Sequence, residues 1–251
     1  MARRWAFLDH PGPIPFAHRG GGGEHPENTL VAFGAAIALG YRYLETDVRV
    51  TADGVLLAFH DHELDRVTDR SGVLEKLPWS EVREARIGGE PIPLVDDVLG
   101  EWPEARVNID PKQDAAVAPL VEALRRTAAF DRVCVAAFSD RRLAAFRRQI
   151  QGRVCTGTGP LEIARLRMAG FTVRPGTLAA GCVQMPTHFG GVRLLDRRFL
   201  ATAHRASLPV HIWTVNDEPE MERLLDLGVD GIMTDRPAVL KEVLERRGLW
   251  T

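Results

Sequence analysis

Short apolar runs alternate with longer stretches whose apolar positions recur every three or four residues, and the alternation continues along almost the whole chain. Runs of the first kind suit buried strands, and the periodic stretches suit amphipathic helices. The pattern predicts strands at 14–18, 43–48, 106–109, 133–138, 153–156, 180–185, 210–214 and 231–234. It predicts helices at 29–39, 115–127, 141–149, 161–168, 196–206, 219–227 and 237–247. Three of the helix starts carry caps: Asn28, Ser139, and Asp217 followed by Pro219.

Eight strands interleaved with helices in 251 residues match an α/β protein of the TIM (β/α)8 barrel type, read as one domain over 1–251. Such a barrel does its chemistry at the C-terminal ends of its strands, so reactive side chains should collect where the apolar runs stop. They do so at His18 and Arg19, at Glu45 and Asp47, at Asp110 and Lys112, at Gln184 and at Trp213. A doubly wound sheet is disfavoured, because the glycines 20–23 lead into Glu24-His25-Pro26-Glu27, poor phosphate-binding groups at a helix start. The longest break in the alternation, about 50–103, contains a turn at 51–54 and a strand-like run at 55–59. It is expected to be a small insertion after the second barrel strand, lying over the barrel mouth.

Lys and Arg total 32 against 34 Asp and Glu, a net charge of −2, which argues against a nucleic-acid partner. The cysteines Cys134, Cys155 and Cys182 are far apart with no C-x-x-C spacing, so neither a disulfide framework nor a cysteine zinc site is expected. No apolar stretch has the length of a membrane span, and the opening residues lack the apolar run of a secretion signal. The expectation is a cytoplasmic protein with a small-molecule substrate and no stable membrane insertion; the sequence leaves its oligomeric state open.

Glu45 and Asp47 stand at positions i and i+2 of one strand, so both carboxylates face the same side. Either they pair with Arg42 or Arg49, or they hold a hard cation together with Asp110; an all-oxygen set suits Mg2+ or Ca2+. His18 and His60 each end an apolar run and titrate in the range suited to proton transfer. His10, His25, His62, His188, His204 and His211 lack such a context. Arg19 and Lys112 add positive charge for an anionic group. Arg66, Arg70, Arg141 and Arg142 are read as solvated surface, and Asn28 as a cap or a group orienting Glu27. Trp213 is either an apolar wall for a ligand or packing at the mouth.

The segments His18-Arg19-Gly20, Pro26-Glu27-Asn28-Thr29, Glu45-Thr46-Asp47-Val48, Thr51-x-Asp53-Gly54 and His60-Asp61-x-x-Leu64-x-Arg66-x-Thr68 together resemble the glycerophosphodiester phosphodiesterase family. The resemblance continues through 108–112, 213–216 and 228–237 and is weakest between 134 and 191. It implies a TIM barrel enzyme that hydrolyses glycerophosphodiesters to glycerol 3-phosphate and an alcohol. It further implies His18 and His60 as the acid and base, with either order of roles, and Glu45, Asp47 and Asp110 as ligands of one divalent cation. Arg19, Glu27 and Lys112 then contact the substrate, and Gln184 and Trp213 are expected beside it from their strand-end positions. The family more often has a glutamate, in an E-x-K setting, at the third ligand, where this chain has Asp110 followed by Pro111; related sphingomyelinase D barrels also use aspartate. A lysophospholipase D or sphingomyelinase D-like activity and a non-catalytic barrel that binds phosphorylated ligands are the alternative readings.

Overall fold

A computed structural model of the protein describes residues 5–169 and 178–251; residues 1–4 of the opening segment lie outside it. Eight parallel strands form the barrel: β1 (Ile14–His18), β2 (Tyr43–Val50), β3 (Arg106–Pro111), β4 (Val133–Val135), β5 (Cys155–Thr156), β6 (Val183–Met185), β7 (Val210–Ile212) and β8 (Gly231–Thr234). Their hydrogen-bonded order runs β5-β4-β3-β2-β1-β8-β7-β6. A parallel bridge between Gly157 and Cys182 joins the two ends, through Thr158 N to Cys182 O at 3.0 Å and Gly181 N to Thr156 O at 2.8 Å. The sheet therefore closes on itself as the alternation of elements predicted.

Alternation along each strand sends one set of side chains to the helices and the other into the barrel. On β2, Leu44 packs outward with Ala17 against Phe33 and Ala36 of the helix Leu30–Ala38. Val48, Val107 and Ile109 pack against Leu120, Val121 and Leu124 of the helix Val117–Arg126. The floor is aromatic: Phe7 and Phe16 meet Tyr43 at ring distances of 5.4 and 5.3 Å, and the Tyr43 hydroxyl donates to the Phe7 carbonyl at 2.8 Å. Above that floor the interior turns polar, and the site begins there.

The caps of the later helices are as predicted. Ser139 accepts from the Arg142 amide and Asp217 from the Glu220 amide. The first helix differs, because Thr29 and not Asn28 is its cap, accepting from the Ala32 amide at 3.2 Å. Asn28 is left-handed at φ 58° and buried. Its side chain accepts from the Thr46 hydroxyl at 2.8 Å, tying the loop after β1 to β2, so it neither caps the helix nor holds Glu27.

Between β2 and β3, the strand Leu56–Ala58 returns antiparallel to β2 after a turn closed by Gly54 N to Thr51 O at 3.0 Å. A short hairpin (Arg86–Ile87, Glu90–Pro91) and the helix Val95–Glu101 follow. This region has its own apolar cluster, with Leu57, Phe59, Leu64, Leu74, Val82 and Ile87 all buried. That burial holds His60 and Asp61 in fixed positions beside the barrel.

Candidate active site

Pairing of β1, β2 and β3 assembles the centre of the site. His18 is in register with Glu45, and Asp47 with Asp110. Because β2 extends to Val50, Glu45 and Asp47 lie inside the strand, short of its end, and both are almost completely buried (4% and 1% exposed). Neither pairs with Arg42 or Arg49. Lys112 Nζ lies 2.7 Å from both Asp47 Oδ1 and Asp110 Oδ2, and Arg19 Nε lies 2.9 Å from Asp47 Oδ2. Arg49 instead donates to the His60 carbonyl at 2.7 Å.

The loop after β1 turns sharply to bring Arg19 over the carboxylates. Arg19 is left-handed (φ 52°), and its amide donates to Glu45 Oε2 at 3.2 Å. Gly20, at φ 78°, allows the turn, since a Cβ there would lie 2.8 Å from Ala32. The Arg19 guanidinium also donates to Glu27 Oε1 at 2.9 Å.

Each of the two predicted histidines has a carboxylate on its Nδ1. For His18 it is Asp235 at 2.6 Å, which Asn216 in turn holds at 2.7 Å; for His60 it is Asp61 at 2.5 Å. An Nδ1–H donated to a carboxylate leaves Nε2 as the free nitrogen, and Nε2 of His18 lies 3.7 Å from Glu45 Oε2. Burial pushes the His18 imidazole toward neutrality, but Glu45 and Asp235 outweigh it and hold the pKa above the ordinary value. Burial dominates for His60 and lowers its pKa. Burial together with Asp47 raises Glu45, whereas Lys112 and Arg19 overcome burial to lower Asp47. Burial raises Asp110 against the pull of Lys112.

Arg66, read as solvated surface from sequence, is part of the site. Its NH1 and NH2 donate to Glu27 Oε2 and Oε1 at 2.9 and 2.7 Å, and it also clasps Asp61. One guanidinium thus links the carboxylate of the P-E-N-T segment to the carboxylate that orients His60. Asp61, Asp235, Asn216 and Arg66 all fall within segments that resemble the family, but their roles appear only once the barrel is closed. Arg141 and Arg142 pair with Asp114.

Two expected contacts stand apart from this group. Gln184 is buried inside the barrel, where its amide donates to Asn108 Oδ1 at 2.8 Å and lies 3.4 Å from His211 Nδ1. Trp213 directly follows β7, and its half-buried ring packs on the barrel-core cluster that includes Met233.

The expected cation ligands fit a hard ion in chemistry: oxygen donors, two carboxylates in register and one a neighbour on the same strand face. Asp110 Oδ1 is buried and accepts no hydrogen bond, and Asp47 Oδ2 accepts no well-formed one although Arg19 Nε lies 2.9 Å away, a shortfall that a bound cation would relieve. The ammonium of Lys112 partly fills that role between Asp47 and Asp110. Among the described residues, only the three cysteines bring ligand atoms of at least three such residues within 4.8 Å of one another.

A closed (β/α)8 barrel whose mouth gathers two carboxylate-held imidazoles, two buried acids with a third partly buried beside them, and three cationic side chains is the frame of a hydrolase for an anionic substrate. Residues 18–239 match the Glycerophosphoryl diester phosphodiesterase family, and the chain belongs to it as an enzyme of that type. It is 41% identical to Probable glycerophosphodiester phosphodiesterase 2 of Mycobacterium tuberculosis, over 97% of this chain and 95% of that one. A lysophospholipase D of Mus musculus is 27% identical, over 91% of this chain and 85% of that one. An Oleispira antarctica phosphodiesterase solved with the product sn-glycerol-3-phosphate shares the fold at a TM-score of 0.79 and 23% identity, covering 93% of this chain and 97% of that one. Among the described residues no helix is long and apolar enough to cross a membrane.

Proposed function

We propose that the protein hydrolyses glycerophosphodiesters to glycerol 3-phosphate and an alcohol, with His18 and His60 as its proton-transfer pair. The observation that carries this reading is that each imidazole is fixed through Nδ1 by its own carboxylate beside the buried Glu45–Asp47 pair. His60 takes the proton of the attacking hydroxyl as its oxygen bonds to phosphorus. His18, flanked by the negative charge of both Asp235 and Glu45, gives a proton to the departing alcohol oxygen as its bond to phosphorus breaks. The attacking hydroxyl belongs to water or to the glycerol itself, which then forms a cyclic phosphate that water opens. Arg19 and Lys112 supply positive charge for the phosphate oxygens.

Glu45, Asp47 and Asp110 would hold one Mg2+ or Ca2+, which when bound supplies Lewis-acid stabilisation of charge on phosphate. A second reading, action on lysophospholipids, draws on the exposed pair Phe138 and Phe189, whose rings are 5.4 Å apart after β4 and β6. The test is coupled detection of glycerol 3-phosphate release from choline, ethanolamine, inositol and glycerol diesters, with lysophosphatidylcholine in parallel and EDTA followed by Mg2+ or Ca2+. Release from a soluble diester supports the proposal. No release from any diester under any ion condition overturns it, and turnover confined to lysophosphatidylcholine favours the second reading.

A further inference from the structure

The barrel interior holds a second cluster of metal-binding side chains that the proposed reaction does not use. Cys134 on β4 is in register with Cys155 on β5, and Cys182, one residue before β6, bridges to Gly157 where the barrel closes. Their thiols turn inward and meet, with all three Sγ atoms within 4.8 Å of one another. Cys134 and Cys182 are 3.8 Å apart, and none of the three residues is more than 1% exposed. The sequence gives no sign of this cluster, because 21 and 27 residues separate its members and only closure of the barrel brings them together.

Thiolates bound to zinc at about 2.3 Å in a tetrahedron lie about 3.8 Å from one another. The Cys134–Cys182 separation matches that edge. A candidate fourth donor stands beside Cys182, outside the group of three whose ligand atoms all lie within 4.8 Å of one another. His211 on β7 is completely buried, its Nε2 has no hydrogen-bond partner, and the ring interacts with the Cys182 thiol. Hydrogen bonds from Cys134 and Cys155, with His211 beside them, hold the Cys182 thiol below its ordinary pKa. Burial raises the thiols of Cys134 and Cys155 well above theirs.

We propose that Cys134, Cys155 and Cys182, with His211 as fourth donor, form a buried site for a thiophilic d10 cation of the Zn2+ class. Binding would release three thiol protons and leave His211 neutral, so a divalent ion gives the set a net charge of −1. The positive charge of Arg147, felt at Cys155, offsets part of this. Sulfur and imidazole donors select a different ion from the carboxylates of the mouth, so the two sites need not compete. The three thiols belong to the apolar cluster of Phe7, Phe16 and Tyr43 that forms the barrel floor, on the β4–β6 side, apart from the mouth carboxylates.

The test is production of the full chain in zinc-supplemented medium, purification under a phosphine reductant, and dialysis against EDTA with excess Mg2+. Zinc retained by the protein is then measured, and a thiolate-to-metal charge-transfer band is sought after production with Cd2+ in place of zinc. The expected result is a single retained zinc per chain and a thiolate–Cd2+ band. Both are lost in Cys134→Ser and in Cys182→Ser and kept in Asp110→Asn. Should the serine variants not fold, wild type unfolded in guanidinium reports zinc release to a chromogenic chelator together with its count of free thiols. Three titratable thiols with neither zinc nor a band mean packed neutral thiols only and overturn the proposal. Fewer than three thiols mean a disulfide and overturn it equally.

Discussion

Nδ1 of His18 lies 2.6 Å from Oδ1 of Asp235, although 217 residues separate them in the chain. The contact exists because β1 pairs with β8, so the last residue of the first strand and the residue that follows the last strand form an imidazole–carboxylate pair. His60 and Asp61 make the same arrangement from adjacent residues. The two histidines are thus oriented by unrelated parts of the fold.

Replacing His18 or His60 with alanine is expected to lower kcat by roughly 10²- to 10⁴-fold, the range for loss of a general acid or base. Asp235→Asn keeps the imidazole but loses the charge that orients it, so kcat should fall less than in His18→Ala while KM holds. Steady-state kinetics of the three variants, alongside circular dichroism to confirm folding, checks this; unchanged kcat in Asp235→Asn would remove Asp235 from the account.

Lys112→Met leaves Asp47 and Asp110 facing each other without the ammonium that now bridges them. Removing one partner from so buried a cluster should cost about 3 kcal/mol of stability. If a divalent cation binds the same carboxylates, Mg2+ or Ca2+ should raise the Tm of the variant more than that of wild type. Thermal melts with and without each ion decide the point, and an equal shift in both proteins counts against the cation site.

Arg66 meets Glu27 through two nitrogens and two oxygens, a geometry that lysine cannot copy. Arg66→Ala and Arg66→Lys should therefore both lose activity, by about tenfold, whereas stability changes by no more than about 1 kcal/mol because the guanidinium is half exposed. Urea unfolding beside the activity assay separates the two effects.

Arg66 and His60 draw the Asp61 carboxyl down to about 2, below its usual value of 3.8. A depressed carboxyl stabilises the fold above its unfolded pKa and loses that contribution as the pH falls through the folded one. Wild type should be more stable than Asp61→Asn at pH 6, and the gap should close between about pH 4 and pH 2. Urea midpoints measured across that range test the sign; a gap that widens on acidification contradicts it.

The carboxylate pair and the two histidines were legible in sequence because each sits at or beside the end of a recognisable apolar run. So was the barrel, since buried strands and amphipathic helices leave different periodicities. What stayed hidden depended on distance along the chain or on neighbouring backbone. Asn28 has the chemistry of a cap, but its left-handed backbone turns it toward Thr46, and Thr29 one residue later takes the role. Arg66 has the composition of surface, yet the apolar cluster under 57–87 swings it onto Glu27. Gln184 comes near the end of an apolar run as a mouth residue would, but it lies within β6 and is buried against Asn108 and His211 in the barrel interior.

Glu45 and Asp47 belong to a strand hydrogen-bonded to β1 on one flank and β3 on the other. Neither can change its backbone position without tearing the sheet, so the reacting end of any substrate meets a fixed template. On the proposed function, differences between leaving groups fall to connections outside that strand, such as those carrying the exposed Phe138 after β4 and Phe189 after β6. Evolution or engineering can thus exchange the leaving group by rewriting those connections while the inherited chemistry stays in place.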